Sequence, residues 1–102
     1  MKLSISLYSF AREYFDRKYT LEQCIAKAAE IGYQGIEIIG PQMIDNYPNP
    51  TEEFYDNWHR WMETYHVEPA CLDVFNEYMV LKTRKMTQEE QCDQLRRDIR
   101  IA

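Results

Sequence analysis

The pattern of apolar and polar positions changes period six times along the chain. Leu3, Ile5 and Leu7 alternate with Ser4, Ser6 and Tyr8, which predicts a strand over about 3–9. A polar loop, 10–19, leads to Thr20 and, three residues later, Gln23. That spacing is a capping box and opens a helix over about 21–31. Leu21, Cys24, Ile25, Ala28 and Ala29 share one face of it, and Gly32 closes it. A second strand follows over 35–39 and ends at Gly40-Pro41. A loop with three prolines, Pro41, Pro48 and Pro50, then meets a second helix to about 65, capped by Asn49 or Thr51. Phe54, Trp58, Trp61, Met62 and Tyr65 recur along it at helical spacing. A third strand is expected over 70–75. Thr87 and Glu90 form another capping box before a last helix, 88–102, with an apolar stripe at Cys92, Leu95 and Ile99. No Gly, Asn or Pro stops that helix, so the pattern reads as the opening of a longer repeated architecture.

The resulting order is βαβαβα, with short links after helices and long links after strands. In a (β/α)8 barrel the loops after strands build the active site, and the returning loops are short turns. A doubly wound sheet also carries functional loops after its strands. Its Gly-rich phosphate fingerprint is absent, since Ser9-Phe-Ala-Arg-Glu-Tyr contains no glycine. Units starting near 3, 35 and 70 are about 33 residues long, and eight of them make a barrel of typical size, about 250 residues. The fold class expected is therefore α/β, a (β/α)8 TIM barrel. Residues 1–102 would be its first three βα units, the N-terminal part of a single domain.

Strand parity then sorts the side chains. Leu3, Ile5, Leu7, Ile36, Ile38, Leu72 and Val74 are expected to face the helices. The interior set is Ser4, Ser6, Tyr8, Glu37, Ile39, Cys71, Asp73 and Phe75. Tyr8, Glu37 and Asp73 thus bring one polar or ionisable group per strand toward the loop-bearing end. Lone inward carboxylates are costly without partners. The plainer readings stand beside this one: Glu37 as a structural ion-pair partner, Asp73 as a loop cap, Tyr8 as core with a satisfied hydroxyl. Trp58 and Trp61 are expected to pack. His59 and His66 sit on a helix and make poor metal ligands, because a site needs several converging donors.

Composition narrows the function classes. The chain carries a net charge of −5, with six basic and thirteen acidic side chains in residues 1–81, and six basic and four acidic in residues 82–102. Such a balance argues against nucleic acid as a partner. The cluster Lys82-Thr-Arg-Lys85 reads as a solvated loop. Three widely spaced cysteines, Cys24, Cys71 and Cys92, form no metal or disulfide motif and fit a reducing compartment. With no signal peptide and no window resembling a membrane span, a cytoplasmic, soluble protein is expected.

The stretch Ile31-Gly-Tyr-Gln-Gly-Ile-Glu-Ile38 resembles the Gly-aromatic-x-Gly-apolar-Glu-apolar motif of sugar phosphate isomerases/epimerases in the xylose isomerase-like TIM-barrel superfamily. The first strand ending in Tyr8-Ser9, the Thr20-Leu-Glu-Gln-Cys-Ile helix and the segment from Met86 to Ala102 are similar as well. The resemblance implies a divalent-metal enzyme that isomerises or epimerises a sugar or sugar phosphate by moving a proton beside a carbonyl. It also implies that metal ligands and catalytic groups lie on later strands, with none in this chain. Tyr8 and Glu37 would be substrate-side contacts, with Asp73 beside them. The competing reading is a catalytically inactive barrel fragment, or a partial domain that works only when associated. Three strands leave two open sheet edges through which copies could pair.

Overall fold

The structure, a computed structural model, describes residues 1–75 and 84–102. Part of the basic cluster at 82–85 and most of the loop at 76–86 lie outside the described residues. Three parallel strands form one sheet in the order β1-β2-β3: β1 (Ser4–Ser6), β2 (Gly35–Ile39) and β3 (Glu68–Asp73). With β1 at an edge rather than between the other two, the expected order 1-2-3 is observed and a doubly wound arrangement of these strands is not. Helices α1 (Ala11–Phe15), α2 (Leu21–Ile31), α3 (Gly40–Met43), α4 (Glu52–Tyr65) and α5 (Gln88–Ile101) complete the chain. No described helix is long and apolar enough to cross a membrane.

Local chemistry explains most boundaries. Thr20 and Gln23 form the capping box of α2, and Thr87 and Glu90 that of α5. Thr51, not Asn49, caps α4 by accepting from the Phe54 N–H. Gly32 ends α2 at φ 111°, a conformation that costs a glycine little. His66 ends α4 in the same left-handed region without being glycine. Strand β1 is shorter than expected. Its last predicted residues instead form a 3-10 turn, Leu7–Phe10, capped by Ser6. Strand β3 begins two residues early, because the Glu68 N–H bonds the Gln34 carbonyl as soon as the helix ends.

The core lies between the sheet and α2 and α4. Leu7, Leu21, Cys24, Ile25, Ala28, Ile36, Ile38, Phe54, Trp58, Met62 and Val67 are all buried in it, and α2 packs on α4. Ile39 was expected on the open face but belongs to this core. Both the 3-10 turn and α3 pack against β2, which covers the end of the strand. Helix α5 differs more. Its inward stripe is Gln91, Gln94, Asp98 and Ile101, whereas Leu95 and Ile99 are 44% and 65% exposed and Cys92 is exposed. The apolar stripe seen in the sequence therefore lies on a different face from the one that contacts this sheet.

One irregularity shapes the open face of the sheet. Ile36 pairs with Pro69, but Glu37 pairs with Cys71, so Ala70 is an extra residue in β3. A β-bulge of this kind leaves two residues opposite one. Ala70 crowds Gly35, where an added Cβ would stand 3.3 Å from the Ala70 Cβ and 2.2 Å from the Ser4 Oγ.

Candidate functional site

The open face carries a small polar cluster at the C-terminal ends of the strands. Ser6, Glu37 and Cys71 stand in register across β1, β2 and β3, and Asp73 follows two residues after Cys71. Register in a parallel sheet puts side chains on a common face. Glu37 and Asp73 are half-buried and Cys71 is exposed. The carboxyl groups of Glu37 and Asp73 lie within 4.8 Å of each other, close enough for a hydrogen bond to join them when one is protonated. Glu37 is accordingly pushed above the ordinary carboxylate range. That hydrogen bond is the main cause, with burial and the Asp73 charge adding to it, and a hydrogen bond from Ser6 pulls the other way. The Cys71 Sγ lies 3.9 Å from an Asp73 oxygen. Its thiol is pushed up by burial and then by the two nearby carboxylates, so it is a poor nucleophile.

Of the three residues singled out in the sequence, Glu37 and Asp73 are brought together. Tyr8 stands beyond the end of β1 in the 3-10 turn, its side chain 60% exposed. Its backbone N–H reaches the cluster by donating to the Ser6 Oγ at 3.3 Å. Ser6 and Cys71 were placed on this face by parity but not singled out. Their register with Glu37 was the available signal.

Donor atoms of Glu37, Cys71 and Asp73 all lie within 4.8 Å of one another, a spacing that could grip a cation. Two features oppose a metal here. A hydrogen bond between the carboxyls would compete for the same space, and the mixed carboxylate–thiol set offers three donors of unlike softness. The set does not fit a hard divalent ion held by Glu, Asp and His. Cys24 is buried and inert, its thiol raised to about 11 chiefly by burial and then by the Glu13 charge.

A groove of about 800 Å³ lies on the helix side, between the residues after β1 and β2, the start of α2 and one face of α4. Tyr14, Phe15, Tyr19, Gln42, Asp45 and Trp61 are among its walls. The Trp61 Nε1 and a Gln42 oxygen are buried without hydrogen-bond partners among the described residues.

No family model matches the chain. It is 30% identical over 103 residues to the C-glycoside deglycosidase alpha subunit of Arthrobacter globiformis. That alignment takes in 100% of this chain and 29% of the subunit, so the chain spans under a third of the length of the relative it matches.

Proposed function

We propose that these residues form the first three βα units of a xylose isomerase-like (β/α)8 barrel. The whole barrel would act on a sugar, sugar phosphate or glycoside by proton transfer beside a carbonyl. One observation carries the reading: Glu37 and Asp73 stand together on the open face, at the strand ends where barrel sites form. A carboxyl pair with one proton contains one donor and one acceptor. That is the complement of two neighbouring sugar hydroxyls, one accepting and one donating. The pair would bind and orient substrate, while the proton-moving groups come from later strands. The relative's name concerns a glycoside, which supports a carbohydrate substrate. A divalent metal remains part of the family resemblance, held by residues outside this chain.

The test uses the complete polypeptide that carries these residues, incubated in D2O with ketoses, their phosphates and C-glycosides. Deuterium should enter at the carbon beside the carbonyl. Glu37→Gln and Asp73→Asn should slow that exchange roughly tenfold to a hundredfold, the loss of about 1–3 kcal/mol expected for a contact to a charged group. Absence of exchange with every one of these substrates overturns the reading.

A second reading is a partial domain that works by association. It is favoured by the exposed Leu95 and Ile99 on α5 and by β1 and β3 at the edges of the described sheet. Sedimentation of the 102-residue chain decides it: a monomer across the micromolar range removes self-association.

A further inference from the structure

Glu37 is the middle of a line of polar side chains that crosses the sheet in register. Ser6 faces it from β1, and Cys71 and Asp73 face it from β3. A serine hydroxyl has one hydrogen and two lone pairs. At Ser6 the Tyr8 N–H takes a lone pair, as the N-cap bond of the 3-10 turn. That bond holds the oxygen at the end of β1 and leaves its hydrogen free to be donated. The acceptor in register with it is the Glu37 carboxyl.

We propose that Ser6 is the positioning residue of the Glu37–Asp73 pair, donating its hydroxyl hydrogen to Glu37 so that the carboxyl is held from both neighbouring strands. The proposal rests on the reading of that pair as the substrate contact. Its consequence is a carboxyl with a fixed plane. One neighbour binds it as an acceptor, and the other lies close enough to share a proton with it. The two neighbours also act in opposite directions. Ser6 favours the ionised form of Glu37, and Asp73 favours the protonated one. Ser6 would thereby lower the pH at which Glu37 ionises.

The experiment is a carbon-13 NMR titration of the Glu37 carboxyl in the 102-residue chain and in four variants. Ser6→Ala and Ser6→Gly remove the donor, and glycine keeps most of the capping preference, so the turn survives. Both should raise the Glu37 midpoint by about half a unit or more, since only the charged form loses a hydrogen bond. Ser6→Thr keeps the hydroxyl and should restore the original midpoint. Asp73→Asn should lower it. An unchanged midpoint in Ser6→Gly, or a rise in Ser6→Thr equal to that in Ser6→Gly, overturns the role of Ser6. An unchanged midpoint in Asp73→Asn overturns the carboxyl pair instead, so the two failures are separable.

Discussion

Tyr47 donates its hydroxyl hydrogen to an oxygen of Asp98, joining the loop after β2 to α5 across 51 residues of sequence. Asp98 is 3% exposed and its second oxygen has no hydrogen-bond partner among the described residues. A buried carboxylate with a single bond depends heavily on that bond. Tyr47 is pushed up to about 12, by burial first and then by Asp98, so the phenol keeps its proton throughout the working pH range.

Tyr47→Phe should therefore destabilise the chain by about 1–3 kcal/mol, the cost of leaving a buried acceptor unmet. Asp98→Asn keeps an acceptor and removes the charge, so it should cost less. Urea unfolding of the two variants checks the order. A neutral Tyr47→Phe would mean that the loop and α5 are held by packing alone.

The carboxyl pair makes a second prediction, with a definite sign. Glu37 is raised in the folded chain above its ordinary value of 4.5. Its contribution is thus fully present below that unfolded value and is lost as pH rises through the raised folded one. Asp73→Asn should flatten this part of the stability profile. Melting temperatures at half-unit steps from pH 4 to 8 provide the measurement.

At the start of α5 the sign reverses. Glu90 bonds Arg84 and the Thr87 N–H and is lowered from 4.5 to about 2, chiefly by Arg84 and then by Thr87. Its support for the helix is present above 4.5 and lost as pH falls toward about 2. Helical circular dichroism should fall across that window. Glu90→Gln should remove the pH dependence while keeping a capping residue.

Gly35 sits where a side chain has no room. Gly35→Ala would bring a Cβ to 2.2 Å from the Ser4 Oγ, so the first strand pair must shift. A loss of about 1–3 kcal/mol is expected, in the range for overpacking. Ser4→Gly in the same chain should recover most of it, which denaturation of the single and double variants measures.

Leu95 and Ile99 offer a contrast with the core. Leu95→Gln with Ile99→Gln should change monomer stability by less than about 1 kcal/mol, because both are exposed. Ile25→Ala, at a fully buried position, should cost about 2–5 kcal/mol. Equal costs in the two unfolding experiments would show that α5 packs through its apolar stripe after all.

Periodicity and capping residues made much of this legible. Thr20 with Gln23 and Thr87 with Glu90 mark helix starts by local hydrogen bonds, which need no tertiary context. The face of α5 was not legible. Asp98 reads as a surface residue until Tyr47, from a distant loop, supplies its donor. The end of β1 was obscured for a similar reason, because a Ser-capped 3-10 turn keeps the alternating polarity of a strand. The meeting of Glu37 and Asp73 followed from parity alone, but the route to it did not. Nothing in Glu68-Pro-Ala-Cys announces an extra residue in the ladder.

That extra residue gives the sheet a phase. Strand β3 enters in step with β2, Glu68 beside Gly35 and Pro69 beside Ile36. Had it continued unbroken, Ala70 would meet Glu37, and Cys71 and Asp73 would turn toward the helices. The insertion at Ala70 shifts the count by one and delivers both side chains to the Glu37 side. Length, not only identity, is thus written into this strand. Losing the codon for Ala70 would make the ladder regular and bring Cys71 directly after Pro69 onto Glu37, keeping the carboxyl pair, whereas losing the codon for Leu72 would leave every acidic residue in the gene and still part the two carboxyls.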